Sequence, residues 1–184
     1  MQRLELSTQA NGVLESAAKA LLAGGVAIFP TDTVYGIGAL PQYSAALERI
    51  YKLKDRPLGM PLPLLISDIA QVRTISSFES ESLHLLAKAF WPGPLTLVLP
   101  DASKPSNSFV AQDGTIAVRS PDHAFIQSLC KLVGPIAATS ANLHGEPTPL
   151  QISGMPKAFE AVDLMIDGGE CSYGAASTIL DLSK

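Results

Sequence analysis

The chain has 184 residues, enough for one sizeable core. Its 47% hydrophobic and 16% charged residues exclude a disordered chain, and a net charge of −4 argues against a basic protein that coats nucleic acid. Two cysteines, Cys130 and Cys171, are too few for a disulfide scaffold or a zinc cluster and read as thiols in a reducing compartment.

The N-terminal stretch MQRLELSTQANGVLE has no apolar core behind a basic flank, so no signal peptide is read. Ser7 or Thr8 is expected to cap a first helix with Val13, Leu14, Ala17 and Leu21 as its apolar stripe, ended by Gly24 and Gly25. VAIF (26–29) reads as a buried strand and PTDTVYGIGA as a loop or bent strand. Ser44 is expected to cap a helix through Ala45, Leu47, Ile50 and Tyr51, which the prolines of KDRPLGMPLP (54–63) end. LPLLIS (62–67) reads as a strand, and Ser67-Asp68 opens a short helix. Ser80 to Phe90 reads as a helix with Leu83, Leu86, Ala87 and Phe90 inward, and Trp91-Pro92-Gly93-Pro94 as a rigid turn. LTLVL (95–99) and TIAVR (115–119) are strands around the polar stretch 101–114. Pro121 and Asp122 start a helix with Phe125, Ile126, Leu129 and Leu132 inward. PIAATSAN (135–142) is a strand running into a loop, and VDLMID and STILDL are two closing strands. Strands alternating with helices predict an α/β fold with a mixed sheet and one domain. Runs such as LTLVL are far short of the roughly 20 residues that span a bilayer, so a membrane-free, cytoplasmic protein is expected.

Four segments set Thr, Ser, Asn, Lys or Arg at the ends of these elements: PTDTVYG (30–36), KDRP (54–57), TIAVRSP (115–121) and TSAN (139–142). Ligands of α/β sheets bind where strands run out into loops, and such groups suit an anionic ligand such as a nucleotide phosphate. Each residue also has a plainer reading. Lys54 and Arg56 would serve as a solvated helix end. Thr31, Asp32, Thr33, Ser140 and Asn142 would serve as turn residues, Tyr35 as a half-buried aromatic and Arg119 as a surface ion-pair partner. Phosphate-loop, dinucleotide-binding and nucleophile-elbow motifs are absent, and His84, His123 and His144 lack metal-ligand spacing.

In combination the segments resemble the YrdC-like threonylcarbamoyl-AMP synthase family. The resemblance rests on FPTDTVYGIGA (29–39), KDRPLGMPL (54–62), FWPGPLTLVL (90–99), IAVRSP (116–121), AATSANLHGEPTP (137–149) and DGG…STILD (167–181), in that order over nearly the whole chain. It implies a single YrdC-like domain over 1–184, the short TsaC-like form without a linker and further C-terminal domain. That domain would be a twisted mixed sheet flanked by helices, with a concave basic cavity. It implies synthesis of threonylcarbamoyl-adenylate and pyrophosphate from L-threonine, bicarbonate or CO₂, and ATP with Mg²⁺. The product would serve threonylcarbamoyladenosine modification of tRNA beside the anticodon, with transfer-complex proteins as partners and direct RNA contact as a further expectation. Lys54, Arg56, Ser140 and Asn142 would be catalytic and, with Thr115 and Thr148, would bind ATP. Thr31, Thr33, Tyr35, Arg119 and Ser177 would hold threonine, and no residue is expected to ligate a resident metal. The chain departs from the family pattern at Met60, Leu65 and His144. Two other readings stand beside the enzyme. One is a non-catalytic YrdC-fold module that binds RNA or regulates a partner. The other is a carbamoyl-transfer module like that within hydrogenase maturation proteins.

Overall fold

Alternating burial along residues 26–29 sets the plan of the molecule. Val26 and Ile28 lie in one apolar cluster, Ala27 and Phe29 in another. Successive strand side chains point to opposite faces, so a strand apolar at every position needs a covered sheet on both sides. The computed structural model describes residues 1–6, 10–100 and 109–184, and in it helices cover both faces of one mixed sheet. The expected caps Ser7 and Thr8 lie outside the described residues.

The elements run β1 (Gln2–Glu5), α1 (Ala10–Leu22), β2 (Ala27–Phe29), β3 (Gly36–Ala39), α2 (Ser44–Lys54), β4 (Leu64–Leu65), a 3₁₀ turn (Ile69–Thr74), α3 (Glu81–Phe90), β5 (Leu95–Pro100), β6 (Ala111–Gln112), β7 (Thr115–Arg119), α4 (Ala124–Val133) and β8 (Ile136–Ser140). Two 3₁₀ turns (Ile152–Gly154, Lys157–Ala161), β9 (Leu164–Asp167) and β10 (Thr178–Asp181) follow. The sheet order is β1-β9-β2-β3-β8-β4-β7-β5-β10, with β6 pairing β7. Helices α1 and α4 pack together on one face, through Val13, Ala17, Leu21, Ile126, Leu129 and Cys130. Helix α2, the first 3₁₀ turn and α3 cover the other, through Leu47, Ile50, Tyr51, Val72 and Leu83.

Register fixes which loops meet. Gly36 of β3 pairs with Ser140 of β8, so the loop entering β3 and the loop leaving β8 emerge at one end of the strands. Arg119 pairs with Leu65, which pairs with Ile136, so Arg119 ends β7 at the opposite end of β8. Gly38 has no room for a side chain, since a Cβ there would stand 2.8 Å from the Ala137 carbonyl oxygen and 3.0 Å from the Phe29 ring. That close approach explains a strand built on Gly-Ile-Gly-Ala, a sequence of low strand propensity.

Several expectations are corrected. Ser44 is the first helical residue rather than the cap, which is Tyr43 with no side-chain capping bond. The strand expected over 62–67 is confined to Leu64–Leu65, because Pro61 and Pro63 have no N–H to give to a ladder. Phe90 and Leu132 are exposed, and Cys130 takes the inward place expected of Leu132. Helix α4 starts at Ala124 with His123 as cap, not at Pro121-Asp122. The two closing strands lie far apart, β9 between β1 and β2 and β10 on the opposite edge. Ser80, read as the first helical residue, is instead the cap of α3, accepting from the Leu83 N–H at 3.1 Å, and Asp68 caps the first 3₁₀ turn.

Candidate active site

Leu47, Ile50, Tyr51 and Lys54 recur at i, i+3, i+4 and i+7 on the buried face of α2, so the helix carries Lys54 inward with its apolar stripe. Asp55, in the left-handed region at φ 51°, ends the helix, and Arg56 N–H returns to the Tyr51 carbonyl. The Lys54 side chain is 1% exposed. Its Nζ donates to the carbonyls of Ser140 (2.6 Å) and Asn142 (2.5 Å) and to Asn142 Oδ1 (3.1 Å). Ser140 Oγ donates to Asn142 Oδ1 at 2.5 Å, and Asn142 Nδ2 donates to the Glu146 carbonyl at 2.5 Å. His144 N–H closes the loop back onto the Lys54 carbonyl at 2.8 Å. Burial, and then the nearby Arg56 charge, push the Lys54 ammonium down to about 8.

Arg56 lies half-buried over the Tyr51 ring, 5.9 Å from its centroid. It donates to the Met60 carbonyl from Nε (3.3 Å) and Nη2 (3.2 Å), and Tyr51 OH donates to the same carbonyl at 2.6 Å. The proline segment therefore uses the backbone of position 60 to aim Arg56, while the Met60 side chain is exposed. Leu65 is a core residue of β4, packed with the α1–α4 side. Thr115 starts β7, level with Ser140 across β4 and β8 by register, and Thr148 is half-buried in the stretch after Asn142.

A second cluster forms where the loop before β3 meets β7. Arg119 donates through Nη2 to Asp32 Oδ1 (2.5 Å), through Nη1 to Thr33 Oγ1 (2.8 Å) and through Nε to the Gly93 carbonyl (3.0 Å). Both charged side chains are buried, and burial pulls the guanidinium down while Asp32 opposes that shift. Thr31 Oγ1 donates to the Val34 carbonyl at 2.6 Å, lies 3.0 Å from Thr33 Oγ1 and accepts from the Thr33 and Val34 N–H groups. Ser177 sits beside this region by register, its hydroxyl 2.7 Å from that of Thr96 on β5.

Thus Lys54, Ser140 and Asn142 come together, with Arg56 two residues beyond Lys54, while Thr31, Thr33 and Arg119 form a separate group. A Tyr35 carbonyl accepting from Ala141 N–H at 2.8 Å joins the two. The Tyr35 hydroxyl points elsewhere, donating to the Gly169 carbonyl and accepting from Gly168 N–H, and burial pushes it up to about 12. The plainer readings of Lys54 as a solvated end, Tyr35 as half-buried and Arg119 as a surface ion pair are replaced by buried positions. Sequence reasoning left out Asp32 as a side-chain partner, the Gly93 carbonyl and Thr96. A signal for Asp32 was present: an arginine ending an apolar strand needs a buried acid, and FPTDTVYG offers one in an apolar setting. Among the described residues no three His, Cys, Asp or Glu side chains gather as a metal site, and no helix is long and apolar enough to cross a membrane.

The Sua5/YciO/YrdC family model, described as telomere recombination, matches residues 19–184. A curated threonylcarbamoyl-AMP synthase of Pyrococcus abyssi (strain GE5 / Orsay) is 39% identical over 170 residues, covering 91% of this chain and 50% of that protein. The chain spans about half the length of the curated relatives it matches at 39% identity. The crystal structure of P. abyssi Sua5 complexed with L-threonine superposes with a TM-score of 0.87 at 35% identity, covering 98% of this chain and 54% of that one. E. coli YciO superposes with a TM-score of 0.85 at 25% identity, covering 100% of this chain and 90% of that one. By sequence over most of its length and by fold, the chain belongs to the Sua5/YciO/YrdC family.

Proposed function

We propose that this protein is a threonylcarbamoyl-AMP synthase: it condenses L-threonine, bicarbonate or CO₂, and MgATP to threonylcarbamoyl-adenylate and pyrophosphate. The observation that carries the reading is the convergence of Lys54 with Ser140 and Asn142 across sequence separations of 86 and 88. Names of curated relatives at 34–39% identity support the same reaction.

The chemistry follows from charge and position. Adenylation concentrates negative charge on the α-phosphate and the departing pyrophosphate. Lys54 and Arg56 supply positive charge in a partly desolvated place, where it acts most strongly. Ser140 and Asn142 bond phosphate or ribose, and Thr115 and Thr148 flank the nucleotide. Mg²⁺ arrives as part of the MgATP substrate, held by phosphate oxygens and water rather than by a protein cage. Arg119, Thr31, Thr33 and Ser177 face threonine. The ammonium first gives up a proton to solvent. The neutral amine then adds to CO₂ with loss of a second proton, or displaces water from bicarbonate. An oxygen of the resulting carbamate attacks the α-phosphorus as pyrophosphate leaves, the protein acting by positioning rather than through a covalent intermediate. The product would be passed to transfer proteins that modify tRNA.

The test is pyrophosphate release from ATP and Mg²⁺, with L-threonine and bicarbonate each supplied or withheld. Release that needs both supports the synthase. A folded protein that binds RNA and releases no pyrophosphate would instead be a non-catalytic module.

A further inference from the structure

Asp32 is the unexplained charge of this fold. It is 6% exposed, and only Oδ1 is used, on Arg119. Its other oxygen, Oδ2, is buried with no hydrogen-bond partner. A buried carboxylate oxygen without a donor is costly, and where native structures keep one it calls for a reason. The nearby imidazole of His123 supplies no second cation, because burial lowers its proton affinity although Asp32 opposes the shift. Its own Nδ1 also lacks a partner.

Arg119 is left complementary to this gap. A guanidinium has five N–H donors, and Thr33, Asp32 and Gly93 take three, one each from Nη1, Nη2 and Nε. One N–H remains on each terminal nitrogen, a pair suited to a carboxylate. Beside it stands an anionic oxygen in need of a donor. The pair presents two donors and one anionic acceptor side by side, the inverse of an α-amino acid zwitterion.

Resting on the synthase reading, we infer that Asp32 is the residue that binds the α-ammonium group of the amino-acid substrate, Oδ2 accepting its N–H while Arg119 holds the carboxylate. The site thereby selects an amino acid over the hydroxy acid of the same shape. The exposed Tyr173–Gly174 stretch is bonded to the backbone of this same loop, its N–H groups donating to the Asp32 and Thr33 carbonyls at 3.1 and 3.0 Å.

The experiment compares binding of L-threonine and of 2,3-dihydroxybutanoate, which carries a hydroxyl in place of the ammonium, to the wild type and to Asp32→Asn by calorimetry. The wild type should prefer L-threonine by about tenfold or more, as befits a charged hydrogen bond, and Asp32→Asn should reduce the preference to about twofold or less. A wild type without the preference, or a folded Asp32→Asn that keeps it, overturns the assignment. If the variant does not fold, a crystal structure of the wild type with L-threonine decides: an amino nitrogen within hydrogen-bond distance of Oδ2 supports the assignment, and any other orientation overturns it. Pyrophosphate release by the wild type separates the two levels. Release dependent on L-threonine with no role for Asp32 sinks this inference alone, whereas no L-threonine binding and no release sink the synthase reading with it.

Discussion

Lys54 shows how one side chain serves fold and chemistry together. Its three ammonium hydrogens all go to oxygens of Ser140 and Asn142. Lys54→Met keeps the length and removes the donors, leaving the half-buried Ser140 and Asn142 carbonyls without their partner while Asn142 Oδ1 keeps the Ser140 hydroxyl. The expected loss is about 3 kcal/mol, read from the urea midpoint. The same burial makes the group titrate near 8 rather than at its ordinary 10.5. A lysine whose folded value is lowered opposes folding below about pH 8, and the penalty lifts as pH rises from there towards 10.5, so this group's contribution to stability increases across that window. A bound triphosphate favours the ammonium. Nucleotide binding near pH 8.5, about half a unit above that value, should therefore draw a proton onto the protein, seen in calorimetry as a heat that depends on buffer ionisation enthalpy. Lys54's share of that dependence should be lost at about pH 6.5, where Lys54 is already charged, and in Lys54→Met. Uptake that persists in Lys54→Met would remove Lys54 as its source. Arg56, anchored on backbone carbonyls and half-buried, offers the contrast. Arg56→Ala should leave stability within about 1 kcal/mol while lowering pyrophosphate release by about 100-fold or more, as expected for lost transition-state charge stabilisation.

At the scale of elements, the readable parts were those whose local chemistry and tertiary setting agree. The α3 start was legible to within one residue, with Ser80 the cap rather than the first helical residue; Ser80→Ala should cost about 1 kcal/mol by urea denaturation. Strand β3 was half hidden because its glycines serve the neighbours rather than the strand itself. Gly38→Ala should cost about 1–3 kcal/mol, since the new methyl meets the Ala137 carbonyl, a backbone atom that moves only with β8. As β8 carries the TSAN loop, that variant should also weaken nucleotide binding, whereas Ser80→Ala should leave it unchanged. Strand β1 was missed altogether. Its four residues are mostly exposed and owe their strand state to parallel pairing with β9, more than 150 residues later, which no local pattern reports.

At the scale of the whole molecule, the candidate site was legible as a set of motifs and illegible as an arrangement. The sequence offered Lys54, Ser140, Asn142, Thr33 and Arg119 as polar residues at element ends. The family resemblance already parted them into a nucleotide set and a threonine set, but nothing in the sequence said that Arg119 would already hold Asp32. These ties span 86 and 87 residues, and only the strand order brings them together. The Asp32–Arg119 pair pins the loop before β3 to the end of β7, so its energetics belong to the fold as a whole. Removing one partner from a buried pair strands the other charge, and Arg119→Met should cost about 3–5 kcal/mol. Neutralising both sides removes the stranded charge. The double variant Asp32→Asn with Arg119→Met should therefore recover a large share of that loss, measured as a coupling energy in a denaturant double-mutant cycle. Such recovery would mean that the charges are kept for what they bind and not for stability, since a neutral pair would hold the loop nearly as well. A strictly additive cycle would mean instead that the two side chains contribute independently and that the ion pair does not hold the loop to the sheet.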